Sequence, residues 1–265
     1  MAVPHLAQTF ATPPAPEAAL LGPQTAGILL RNIIGMYRRH FGILMASAVL
    51  PVAPFLLLIF WLSALESPWV VLGVVPYMVA AFVAGGALTV VISDICLGNR
   101  PTLVHAYRRV LGQQRWLHLL ATGLLLTLMM WVGTLLLVLP GLWVMARGFL
   151  SSIVVTLEGR SARDAIKRSF ALTHGQAWRI MGLTLLPLLL AYVAMVVCVM
   201  VVAIVASLTL GDATLAGVLV QVVSFALGLA LFAPVMGITM VLLYYDQRVR
   251  REAYDMQALA EDLMR

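Results

Sequence analysis

Six charge-free apolar stretches run along the chain, at 41–65, 67–93, 119–146, 148–157, 180–211 and 213–245. The segments joining them alternate between strongly basic and nearly uncharged. A bilayer hydrocarbon core about 30 Å thick takes roughly 20 apolar residues per helix. A helix apolar around its whole circumference belongs in lipid or deep in a protein, not on a wet surface. The pattern therefore predicts spans at about 41–62, 69–93, 116–138, a short fourth ending at 157, 177–208 and 213–245. The third and fourth are joined by a sharp turn at Leu139-Pro140-Gly141. The expected fold is all-α, a polytopic membrane helical bundle of six transmembrane helices.

Charge then orients the bundle. Of the 17 Lys and Arg residues, all but Arg147 lie before span one, between two and three, between four and five, or after six. The three opposite turns carry only Glu66 and Asp212. Basic residues are retained on the cytoplasmic side, so both termini are expected inside. Trp61, Trp69, Trp131 and Trp143 fall near the outer boundary and Trp116 and Trp178 near the inner one, as an aromatic belt requires.

Ahead of spans one, three and five the period changes to that of short amphipathic helices. In the first, Ala26, Leu29, Leu30, Ile33 and Tyr37 share a face and Arg38-Arg39 closes the helix. In the second, Leu103, Ala106, Tyr107, Val110 and Leu111 oppose His105, Arg108 and Arg109, with Pro101 to start the helix and Gly112 to end it. In the third, Ser161 and Asp164 form a capping box, and Ala162, Ala165, Ile166, Ser169 and Phe170 oppose Arg163 and Lys167, with Arg168 on the flank. Ala106-x-x-Arg109 and Ala165-x-x-Arg168 are each followed by Gly-Gln and then Trp, which suggests a three-fold internal repeat of short helix plus hairpin.

These helices are expected in the headgroup layer, where Arg38, Arg39, Arg108, Arg109, Lys167, Arg168, Arg248 and Arg250 form a basic cytoplasmic collar. Each such residue contributes about 1 kcal/mol against an anionic leaflet. The collar serves as a topological anchor, or it selects anionic phospholipids or a soluble partner. Residues 1–24, with five prolines and no basic residue, are expected as a disordered cytoplasmic tail. Residues 25–245 form the six-span membrane domain. Residues 246–265 continue as a cytoplasmic amphipathic helix with Val249, Ala253, Met256, Ala260 and Leu263 on one stripe.

Arg147 breaks the charge rule. At 1.5 Å per residue it lies about 9 Å beyond the Gly141 turn, and a charge inside a span is by default a functional candidate. It either contacts a lipid phosphate or, as a structural residue, snorkels or caps carbonyls freed by Pro51, Pro187 or Pro234. Ser151 and Ser152 are further candidate partners.

Composition narrows the chemistry. The chain is 62% hydrophobic and 11% charged, against about 25% charged in soluble domains. Its net charge of +6 is accounted for by the cytoplasmic bias, so no nucleic-acid partner is expected. Cys96 and Cys198 are expected as free small hydrophobes. His40, His105, His118 and His174 stand at the cytoplasmic boundary without ligand spacing, so no metal, cofactor or catalytic residue is expected. An enzyme would need a cluster such as His174, Glu158 and Asp246 to converge.

A set of local motifs adds a resemblance. It comprises Tyr37-Arg38-Arg39-His40-Phe41-Gly42, Leu139-Pro140-Gly141 followed by Arg147, Leu157-Glu158-Gly159, Ala165-x-Lys167-Arg168-Ser169, Gly175-x-x-Trp178-Arg179 and Leu243-Tyr244-Tyr245-Asp246-x-Arg248-x-Arg250. Over about residues 25–258 the chain resembles the bacterial family named after the membrane domain of glycerophosphoryl diester phosphodiesterase. In that enzyme type a similar membrane region is joined to a soluble TIM-barrel phosphodiesterase. These 265 residues leave no room for such a barrel and lack its metal-binding carboxylates. The resemblance thus implies the fold and a bacterial cytoplasmic (inner) membrane, not hydrolysis.

The expected function is a non-enzymatic module that interacts with membrane phospholipids or with other membrane or cytoplasmic proteins. The rival is a transporter or exporter of a lipid-like or small solute, built from proline-broken spans around Arg147. A polar path at Arg147 favours transport, whereas packing against carbonyls favours structure. Reporter fusions at residues 66, 140 and 212 are expected to signal outside, and those at 100, 165 and 258 inside. A cytoplasmic signal from position 140 contradicts six spans.

Overall fold

The computed structural model describes residues 24–64, 69–112, 115–209 and 213–252, and among these there are helices and no strand. The helices are α1 (Ala26–Arg39), α2 (Phe41–Val49), α3 (Ala53–Ala64), α4 (Val70–Cys96), α5 (Leu103–Leu111), α6 (Arg115–Leu136), α7 (Val138–Gly148), α8 (Ser151–Ile153), α9 (Ala162–Leu172), α10 (Ala177–Thr209) and α11 (Ala213–Glu252). A π-helical turn, Val154–Glu158, continues α8. The expected tail before residue 24, the turn at 66 and 212, and the helix beyond 252 lie outside the described residues.

Five helical segments are long and apolar enough to cross a membrane, and there are six if the α2–α3 pair, bent by 51°, is counted as one span. The chain is therefore a multi-pass membrane protein with an all-α bundle. Pro51 sits in the α2–α3 break, where its ring and missing N–H end one helix before the next begins. The fourth span is discontinuous as well. It passes from α7 through a break after Gly148 into α8 and the π turn.

The α6–α7 turn differs from the sequence expectation. It is a single residue, Leu137, and Leu139-Pro140-Gly141 lies inside the first turn of α7. Proline is tolerated there because a first-turn N–H has no intrahelical acceptor. Gly141 is needed for approach rather than for turning: a Cβ there would run into Thr134. At the other end, α11 runs past Tyr245 to Glu252 without a break.

The order of short helix then hairpin occurs three times: α1 before α2–α4, α5 before α6–α8, α9 before α10–α11. Each short helix packs on the hairpin preceding its own, α5 on α4 and α9 on α6 and α7. The first closes the ring by packing on α11. Their buried faces are Leu29, Ile33 and Met36 in α1, Ala106 and Val110 in α5, and Ala162, Ala165, Ile166 and Ser169 in α9. Leu111, expected on the α5 apolar face, is exposed. Ser161 caps α9 as predicted, accepting the Asp164 N–H.

Burial concentrates at this basic end, in Leu88–Cys96 of α4, Leu150–Leu157 and Ile238–Tyr245 of α11. Glycines allow close approach: Gly86 meets Leu119 and Val110, and Gly237 meets Leu88 and Ile92. Toward the other end the helices are apolar and exposed. Only 6% of the most apolar window of α10 is buried, a surface suited to lipid and not to water.

Two tyrosines cap carbonyls that prolines leave without a donor. Pro51 removes the donor that would reach the Ser47 carbonyl four residues back. The Tyr107 hydroxyl of α5 donates to that carbonyl at 2.7 Å. Pro234 likewise frees the Ala230 carbonyl, and the Tyr37 hydroxyl of α1 donates to it at 3.2 Å. Burial pushes the Tyr107 phenol up to about 12, and raises Tyr37 too, so both stay protonated donors at neutral pH. Tyr107→Phe is expected to lower stability by about 1–3 kcal/mol, the range for an orphaned buried acceptor. In a Pro51→Ala background, where a backbone N–H is restored, the same change should be nearly neutral. Thermal melting in detergent across this double-mutant cycle measures the difference.

Candidate functional site

Each returning span carries a carboxylate at the basic end: Asp94 in α4, Glu158 closing the π turn, and Asp246 in α11. Asp94 and Asp246 are buried and Glu158 is 13% exposed. For Asp94 and Glu158 the helix C-terminus is an unfavourable place for a negative charge, so cations must be brought to them. Asp94 lies in the field of His105 and Arg109 from α5. Glu158 pairs with Arg160 Nε at 2.7 Å and Arg168 Nε at 3.4 Å, and accepts the Tyr244 hydroxyl at 2.9 Å. Asp246 is the most heavily held, by Arg179 at 2.9 Å, Arg250 at 2.8 Å and Gln247 Nε2 at 2.9 Å. It also accepts the Gln24 N–H at 2.8 Å, while Arg179 donates to the Gln24 carbonyl at 2.6 Å. The segment entering α1 is thereby pinned to the last span.

Helix C-termini leave carbonyls without donors, and arginines fill those places. Arg115 Nη1 donates to the Thr156 carbonyl at 3.1 Å and Arg109 Nη2 to that of Leu157 at 3.4 Å, both at the end of the π turn. Arg147 does the same for α9. The Ser169 and Ala171 carbonyls accept backbone N–H groups from Thr173 and His174, and the Phe170 carbonyl accepts Arg147 Nη2 at 2.6 Å. The guanidinium lies over the rings of Trp143 at 4.7 Å and Phe170 at 5.0 Å, contacts that favour a desolvated cation. In return, Ser169 Oγ and Thr173 Oγ1 donate to the Arg147 carbonyl at 2.6 and 3.2 Å. Arg147 thus ties span four to a helix of the basic end. The carbonyls freed by Pro51 and Pro234 are served by tyrosines instead, and Ser151 does not pair with Arg147.

The eight collar residues divide into two groups. Arg38, Arg39, Arg108 and Lys167 are exposed. Arg109, Arg168, Arg248 and Arg250 engage the partners named above; Arg250 does so while itself exposed, and Arg248 is only 5% exposed and donates to the Tyr244 hydroxyl at 3.4 Å. The hydroxyl of the neighbouring Tyr245 meets Ser93 Oγ at 2.8 Å, tying α11 to α4. Sequence reading did not find the three carboxylates as a set. Their signal was an acid ending each returning apolar stretch, twice with a glycine within four residues: Asp94 before Gly98 and Glu158 before Gly159. Both glycines adopt positive φ, the conformation that ends a helix at least strain.

Among the described residues, no three His, Cys, Asp or Glu side chains converge as metal ligands, and His174 is exposed. Cys96 and Cys198 form no disulfide among the described residues. Three cavities, of about 600, 320 and 140 Å³, lie among the spans, and their walls are largely apolar and do not include Arg147. The arrangement has the chemistry of charge neutralisation and backbone capping. Asp246→Asn is expected to destabilise the protein by about 1.5–3 kcal/mol, the range for hydrogen bonds to a charged group. Thermal melting in detergent measures that loss, with increased proteolysis near residue 24 as the local readout. The chain matches no protein-family model, no curated protein and no solved structure.

Proposed function

We propose that the protein is a non-catalytic module of a bacterial cytoplasmic membrane, with both termini inside, that holds anionic phospholipid headgroups against its basic end. The observation carrying this reading is the division of the collar. Arg109, Arg168, Arg248 and Arg250 are engaged within the protein, whereas Arg38, Arg39, Arg108 and Lys167 face outward on the short helices, with no ion pair among the described residues. Outward cations beside apolar spans meet the headgroup layer, where each contributes about 1 kcal/mol against anionic lipid. Kinship with the membrane-domain family of glycerophosphoryl diester phosphodiesterase is part of the same proposal, and its support is the motif set quoted above. The second reading, transport of a lipid-like solute, is favoured by the apolar cavity of about 600 Å³ between α4, α10 and α11. Against it, the half-buried Arg147 is engaged by the Phe170 carbonyl and the Trp143 and Phe170 rings and lines none of the three cavities.

Native mass spectrometry of the detergent-extracted protein tests the first reading. Anionic phospholipid is expected to co-purify in preference to zwitterionic lipid. Replacing Arg38, Arg39, Arg108 and Lys167 together by Gln should reduce the preference about tenfold or more, given about 1 kcal/mol per residue. Arg147→Leu should leave it intact. Equal retention of both lipid classes by the unmodified protein overturns the reading.

A further inference from the structure

We propose that the bundle holds one acyl chain of a membrane phospholipid in an internal cavity, entered sideways from the lipid. The cavity has a volume of about 320 Å³ and is enclosed by α2, α4, α6, α8 with its π turn, and α11. A groove of about 600 Å³ between α4, α10 and α11 leads into it, and Tyr77, Leu229, Ala233 and Met236 line both. No charged residue lines either space. Along α11 the lining runs from Ser224 to Met240, about 24 Å at 1.5 Å per residue. A long, uncharged path of this kind suits a linear chain rather than a compact solute.

The space is built into the walls. Gly85, in the middle of α4 beside the closely packed Gly86, is exposed, and a Cβ placed on it would meet nothing within 4 Å. The Thr89 and Thr156 hydroxyls already donate to carbonyls of their own turns, at 2.9 and 2.8 Å. Tyr77 and Ser152 alone keep hydroxyls without a hydrogen bond among the described lining residues of the cavity. Buried water needs roughly two to four polar partners each, which two hydroxyls on opposite walls do not supply. Protein interiors of this size are seldom left empty, because every wall then loses packing. The volume and the few polar groups are those of a small-ligand site, and the mouth opens where the surrounding medium is lipid.

Tyr77 and Ser224 lie toward the ends of α4 and α11 remote from the basic residues. The lipid is therefore one whose headgroup lies at the opposite surface, so the inference stands apart from the collar reading. Reconstitution into vesicles of phosphatidylcholine bearing a photoreactive diazirine in one acyl chain, followed by irradiation and peptide mapping, tests it. Adducts are expected on Met236 and Met240 as well as on exposed positions such as Val197 and Met200. Gly85→Leu should fill the cavity and reduce the Met236 and Met240 adducts about tenfold, with those on Val197 and Met200 unchanged and Gly85→Ala close to the unmodified protein. Ala233→Phe, which narrows the mouth from the other wall, is the second variant if Gly85→Leu fails to fold. Adducts confined to Val197 and Met200 in the unmodified protein overturn the proposal. So do Met236 and Met240 adducts that both filled variants retain. A photoreactive free fatty acid that labels the cavity and displaces the phospholipid overturns the assignment to a phospholipid.

Discussion

A backbone carbonyl without a donor is the constraint on which this bundle depends. In lipid no water can replace a lost helical hydrogen bond, and each orphaned group carries a penalty of several kcal/mol. Among such groups are the carbonyls of Ser47 and Ala230, freed by Pro51 and Pro234, and those of Thr156 and Phe170 at helix ends. Each is met by a side chain from elsewhere in the fold: Tyr107, Tyr37, Arg115 and Arg147. Breaks in the spans and polar residues on the short helices are thus parts of one arrangement. Pro51 stands at the 51° bend of the α2–α3 pair and Pro234 inside α11, and a tyrosine on a short helix caps the carbonyl that each one frees.

The repairs follow a cyclic order. α5 serves the first hairpin and α1 serves the third, so the first short helix of the chain closes a ring with its last span. The carboxylates follow the same order, with Asp94 facing α5, Glu158 facing α9 and Asp246 holding the segment before α1. The correspondence is incomplete in one respect. The third carboxylate takes its arginines from α10 and α11, not from α1. Buried charges need both partners and hydrogen bonds to be tolerated, and Asp246 has four such contacts. This explains why half of the basic collar is engaged within the protein while the other half is left to the surroundings.

The resulting body is polar and tightly packed at one end and apolar and open at the other. That asymmetry suits a protein whose basic end meets headgroups and whose opposite half meets only hydrocarbon. The cavity at Gly85 lies where the two regimes join, at a point where α4 carries the small residues Ala81, Ala84, Gly85 and Gly86.

The spans were legible in the sequence because a helix in lipid must be apolar over roughly 20 residues regardless of its neighbours. The short helices were legible for the same kind of reason: the positions of Leu29, Ile33, Ala106, Val110 and Ala165 follow from helical period alone. The turn between spans three and four was misplaced by two residues, because Pro140 and Gly141 punctuate turns in general but here serve the start of α7 and its approach to Thr134. Arg147 was visible as an exception, yet its partner lies 23 residues on, at Phe170, and no local spacing points there. Tyr37 and Tyr107 occupy like positions before paired arginines, but which carbonyls they reach depends on how hairpins are arranged around a ring. The sequence by itself determined the helical class and the places of the apolar spans, since these depend on transfer of side chains into lipid, a property of each residue. Only the tertiary structure decided which cations face inward, which carbonyls are capped and where space remains, because those depend on distances between segments far apart in the chain.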